Sequence, residues 1–197
     1  MQQTHSETPA PHSPSTRPTA GVRRLRAGAV IAVVLAVAFG LWVILGGDDD
    51  QGSGASAPAS SAASVAQLRG IPAETGHPLY WAGRRSEFTY ELTRTADGNV
   101  YVRYLPPGIP VGAQQPNYLT IGTYPRPRAL KSLRSIARAR GTVSFSVPNG
   151  GIAVYSRDRP NSVYLAFPRE DVQIEVYDPS ADNARRLARS GRVRPIG

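Results

Sequence analysis

The stretch AGAVIAVVLAVAFGLWVILGG, Ala27 to Gly47, carries no charged, amide or hydroxyl side chain across twenty-one residues. As an α-helix at about 1.5 Å per residue it reaches roughly 31 Å, close to the hydrocarbon thickness of a bilayer. A soluble helix of that length keeps a polar face for water, and this one has none. A spanning helix closes its backbone hydrogen bonds internally, so apolar side chains all round suit it. Trp42 lies near the distal end, where an indole sits at headgroup level. The sequence therefore predicts a single transmembrane helix over 27–47.

The flanks orient it. Arg23, Arg24 and Arg26 precede the span, and Asp48, Asp49 and Asp50 follow it. The positive-inside rule places the Arg side in the cytoplasm and everything after the span outside the membrane. A cleaved signal peptide is the rival reading, but its apolar run is shorter, about 7–15 residues. The best small-residue cleavage site, Ala55-Ser56-Ala57, is followed directly by Pro58. With no cysteine in the chain, a cysteine-linked lipid anchor, disulfides, a thiol nucleophile and a thiolate metal site are all excluded.

On either side of the span the composition is too polar and too small to bury a core. Residues 1–26 form a Pro/Ser/Thr-rich tail, expected to be a disordered cytoplasmic region, with Pro11 and Pro14 in a P-x-x-P spacing. Residues 48–66, DDDQGSGASAPASSAASVA, read as a flexible Asp/Gly/Ser/Ala linker. Residues 67–197 then have the size of one ordinary extracytoplasmic domain.

That domain holds the chain's whole surplus of +9, with Arg supplying every basic residue except Lys131. An Arg-rich composition is what a GC-rich genome produces, yet the charge also draws anionic partners: wall polymers, acidic headgroups or an acidic protein surface. Nucleic acid fits the sign but not the compartment, so none is expected.

From Leu68 onward, short β-rich runs alternate with turn signals. Strands are predicted at 78–83, 88–95, 100–106 and 118–125, with Asp97-Gly98 turning the hairpin between the second and third. A helix follows over about 126–140, with Leu130, Leu133, Ile136 and Ala137 on one side and Gly141 beyond its end. Four more strands are predicted at 142–147, 152–156, 162–167 and 172–178, the first two joined by an Asn149-Gly150 turn. Asp178 then caps a last helix with Pro179 at its first position, running to about Ser190. Four strands and a helix, twice over, suggest an internal duplication. The expected fold is a two-layer α+β domain: antiparallel sheet of short strands with two amphipathic helices. Its core is expected to include Phe88, Tyr90, Leu92, Ile121, Leu130, Leu133, Phe145, Val154, Leu165, Ile174 and Leu187.

Chemistry is sparse. His77 is the only histidine of the domain and no G-x-S-x-G or S-x-x-K accompanies it, so it reads as a turn-packing residue rather than a catalytic one. No cofactor or metal is expected. Glu91 and Glu175 each occupy a polar position in an alternating strand and read as solvated; as a pair of carboxylates they are also the only route to a wall-hydrolase alternative. Trp81, Tyr80 and Tyr104 read as core packing. The feature that looks most functional is the basic side of the first helix, where Arg128, Lys131, Arg134 and Arg138 could present forks and an ammonium to phosphate or carboxylate. The expectation is thus a single-pass membrane protein with a non-catalytic outer binding domain, partnered by anionic wall polymer, lipid headgroups or an envelope protein. The membrane-tethered hydrolase is the alternative.

Overall fold

A computed structural model describes residues 59–197. The expected tail, the span at 27–47 and the linker up to residue 58 lie outside the described residues. Among those described, no helix is long and apolar enough to cross a membrane.

The elements run β1 (Ser60–Ala63), α1 (Val65–Thr75), β2 (Tyr80–Trp81), β3 (Thr89–Arg94), β4 (Val100–Leu105), β5 (Thr120–Pro125), α2 (Ala129–Ile136), β6 (Thr142–Val147), β7 (Gly151–Ser156), β8 (Arg159–Ala166), β9 (Val172–Tyr177), α3 (Ala181–Arg189) and β10 (Arg194–Pro195). Eight strands form one antiparallel sheet in the order β1-β3-β4-β5-β9-β8-β7-β6, while β2 pairs with β10 alone. This is an α+β fold, as the strand and turn pattern predicts.

Alternation along the strands makes two unlike faces. One face carries Tyr90, Leu92, Val102, Tyr104, Ile121, Ile174, Val176, Val163 and Leu165, and is the main core. Leu68 and Ile71 of α1, Tyr80 and Trp81 of β2, and Ala184, Leu187 and Ala188 of α3 close over it. On the other face α2 lays Ala129, Leu133 and Ile136 against Val154, Tyr164 and Ala166. The helices α2 and α3 therefore sandwich the same half of the sheet, and that half has three layers where two were expected.

Several expectations are corrected. The end of the linker is structured: Ser60–Ala63 pairs with β3, and Ser64 begins α1 with a reciprocal Ser64–Gln67 capping box. The helix α1 escapes sequence reading because its apolar periodicity is weak and it contains both Gly70 and Pro72. The first expected strand shrinks to two residues outside the large sheet. The helix read as 126–140 starts only at Ala129, because Arg126 donates its amide to the Asp171 carbonyl and Arg128 sits at φ 58°, and it ends at Ile136, with 137–141 in turns and a bend, so Gly141 does not close it. The last helix is capped by Ser180, whose hydroxyl accepts from the Asn183 amide, while Asp178 instead accepts from the Ser180 amide. Of the expected core, Phe88, Leu130 and Phe145 are only half-buried, packed at its margin.

The strand registers also define two ends. One end collects the β3–β4 turn, the chain between β5 and α2, the β6–β7 and β8–β9 turns and the C-terminus of α3; Gly98 lies beside Pro125, Gly150 beside Pro168 and Gly191 beside Pro148 there. Since Ser60 lies opposite Thr93, the chain enters the domain at this same end.

Candidate anion-binding groove

Helical spacing decides which side chains of α2 meet water. Ala129, Leu133 and Ile136 are buried against the sheet, which leaves Lys131 and Arg134 exposed on the outer side, with Arg138 exposed in the turn just beyond the helix. Arg128 precedes the helix in the left-handed region; its amide donates to Asp171 Oδ1 at 2.8 Å, so a carboxylate from a distant turn does the work of an N-cap. The β8–β9 turn thereby comes to lie alongside α2.

Between helix and turn runs an open groove of about 530 Å³. It is lined by all four expected basic residues, Arg128, Lys131, Arg134 and Arg138, with Leu130 and Ser135 of the same helix. Phe167, Arg169, Glu170 and Asp171 form the opposite wall. None of the five basic side chains takes part in an ion pair among the described residues. The groove thus sets five cations without ion-pair partners among the described residues against the two carboxylates of Glu170 and Asp171, a net positive opening around a partly apolar wall of Leu130 and Phe167. Arg169 and Phe167 had no sequence signal, since only the pairing of β9 beside β5 brings their turn to the helix.

The two carboxylates read as solvated are both buried. Glu91 is 1 % exposed: Arg103 Nη1 donates to its Oε1 at 2.7 Å and the Gly112 amide to its Oε2 at 2.6 Å. Arg103 also donates to the carbonyls of Ala113 and Gln115 and lies over the Tyr118 ring. The loop after β4 is thereby pinned over this face of β3, and that cover is why the alternation misleads. Glu175, in a central strand, accepts from the hydroxyls of Tyr124 and, at 3.3 Å, Tyr164. Burial pushes its carboxyl above the usual range, against the opposing pull of hydrogen bonds from Tyr124, Ser162 and Tyr164.

The two acids do not converge. They share a face, but three strand intervals separate β3 from β9, roughly 14 Å at about 4.8 Å each, where paired glycosidase carboxylates stand about 5–9.5 Å apart. His77 sets its two ring nitrogens at 3.2 and 3.1 Å from the Pro78 and Gly98 carbonyls, linking the chain before β2 to the β3–β4 turn. Tyr80, Trp81 and Tyr104 are buried. Among the described residues no cluster of three His, Asp or Glu side chains is arranged for a metal. No protein family, curated protein or solved structure matches the chain.

Proposed function

We propose that the chain is a single-pass membrane protein, N-terminus cytoplasmic, whose outer domain is a non-catalytic module that binds anionic envelope components: wall polymer, lipid headgroups or an acidic envelope protein. The observation that carries this reading is the groove along α2, where Arg128, Lys131, Arg134, Arg138 and Arg169 line one opening without ion-pair partners among the described residues. The hydrolase alternative draws no support from Glu91, whose carboxylate is committed to Arg103 and Gly112, nor from Glu175, enclosed by tyrosines. The strand order supports the further reading of a duplicated unit, since β1-β3-β4-β5 and β6-β7-β8-β9 each end in a strand followed by a helix and meet through β5 and β9. The helices weigh against it: α2 and α3 cover opposite faces of one half.

The binding test uses wall polymer and anionic vesicles titrated with the protein from 50 to 500 mM salt. Wild type should bind at low salt and lose affinity steeply as the Debye length shortens from about 14 to 4 Å. The triple variant Lys131→Gln, Arg134→Gln, Arg138→Gln should bind several-fold more weakly with an unchanged melt, because all three side chains face water. Equal binding by the two proteins would overturn the groove as the site. For the anchor, protease added outside intact cells with permeable walls should digest residues 67–197 and spare the tail; a protected domain would reverse the orientation.

A further inference from the structure

Chain entry and charge coincide at one end of the sheet. The turns and helix end gathered there carry exposed Arg128, Arg169 and Arg189, with Arg126 half-buried. The acids at the same end are Glu74, already paired with Arg94, and Asp97, Glu170 and Asp171. Asp171 is occupied by the Arg128 amide. Arg189 is not free to fold away: its guanidinium lies 3.7 Å above the Phe145 ring. The opposite end is basic as well, through Arg138, Arg140 and Arg157. What separates the two ends is the path of the chain. Ser60 enters opposite Thr93, so the first end is the one joined to the segment preceding the domain.

We infer that this end of the sheet rests on anionic lipid, with Arg126, Arg128, Arg169 and Arg189 as its headgroup contacts. The inference rests on the proposed span at 27–47. Only twelve residues separate Gly47 from Ser60, at most about 40 Å of chain. A tether delivered to the near end lets that end meet the bilayer without turning the domain over. To present the far end, the same tether would have to run a further strand's length, about 20 Å, along the domain. Each guanidinium at the surface of an anionic leaflet contributes about 1 kcal/mol, and Asp97, Glu170 and Asp171 oppose it in part; because the tether already holds this end near the surface, the net attraction has only to orient the domain. The groove along α2 begins at this end, with Arg128 and Arg169 shared by both, so docking brings the groove's mouth to the membrane surface.

The absence of cysteine makes the test direct. The full chain is reconstituted into vesicles of 30 % phosphatidylglycerol in phosphatidylcholine, or of phosphatidylcholine alone. A donor dye is placed by Pro168→Cys at the near end or Ala139→Cys at the far end, both exposed positions, with an acceptor on the lipid headgroups. Energy transfer should be several-fold greater from residue 168 than from 139 in the anionic vesicles. The difference should shrink in phosphatidylcholine, at 500 mM salt, and in the variant Arg126→Gln, Arg169→Gln, Arg189→Gln. Equal transfer from both ends, greater transfer from residue 139, or a difference indifferent to lipid charge would overturn the inference. Alkaline extraction of the same vesicles separates the failures: protein released by carbonate defeats the anchor, whereas protein that stays embedded without preferring one end defeats only the docking.

Discussion

Gly122 shows how one missing side chain organises a central strand. A Cβ built there would stand 2.7 Å from the Tyr124 hydroxyl and 2.9 Å from its Cζ, so the Tyr124 ring occupies the space a larger residue would fill. From that position its hydroxyl reaches Glu175. Gly122→Ala should displace the ring and lower stability by about 1–3 kcal/mol, read as a fall in denaturant midpoint with an unchanged slope. Tyr124→Phe keeps the ring but removes a donor from a buried carboxyl, at a cost of about 1–3 kcal/mol. Tyr101 is the contrast: its ring stands edge-on to Tyr124 at 5.7 Å, but its buried hydroxyl has no partner in normal hydrogen-bond geometry among the described residues, and Tyr101→Phe should leave stability unchanged or slightly raised.

Glu175 also sets a pH dependence. Its folded pKa is raised, so folding favours the protonated acid. The stability this confers is complete below the ordinary carboxylate range and is lost as pH rises through the folded value. Denaturant titrations between pH 4 and 9 should show that decline, and Glu175→Gln should flatten it by presenting a neutral acceptor throughout. An unaltered slope in the variant would assign the dependence to other groups.

At the scale of the element, two devices hold segments that lack propensity of their own. The loop from Leu105 to Tyr118 is fastened by the Glu91–Arg103 pair, whose side chains are 0 and 11 % exposed. Removing one partner strands the other, so Arg103→Met or Glu91→Gln alone should cost about 3–5 kcal/mol, whereas an apolar replacement of both should cost much less. A double-mutant cycle on unfolding free energies measures the difference. Helix α2 is only eight residues long and has no side-chain cap of its own. Asp171→Ala removes the carboxylate at its start and should lower stability by about 0.5–2 kcal/mol. Ile136→Asp, which puts an unpaired charge under the same helix, should be costlier, at least about 3 kcal/mol.

The whole domain begins earlier than the change in composition indicates. A fragment of residues 59–197 should melt cooperatively without reducing agent or metal. Starting at residue 67 instead deletes β1, exposes the edge of β3 and removes the Ser64 cap. That shorter fragment should melt several degrees lower and associate through the uncovered edge, both visible by calorimetry and light scattering. Equal melting of the two fragments would show that β1 contributes nothing to the fold.

What the sequence determined by itself is local. Period-2 runs such as Tyr90–Leu92, the Asp97-Gly98 and Asn149-Gly150 turns and the spacing of Leu133 with Ile136 specify strands, hairpins and a helix through neighbours a few residues apart. The basic row Lys131, Arg134 and Arg138 was legible for the same reason. Tertiary structure decided what depends on distant partners. The pairing of β5 with β9 joins the two halves and brings Phe167, Arg169 and Asp171 to the helix, completing a groove whose second wall lies some forty residues downstream. Both glutamates occupy polar positions of alternating strands, and alternation reports that successive side chains face opposite ways, not whether either face is covered. A pinned loop covers Glu91 and the tyrosines of neighbouring strands enclose Glu175. Likewise Ser60–Ala63 is polar and small by composition, and becomes a strand only because the open edge of β3 supplies the hydrogen bonds that a four-residue segment cannot make alone.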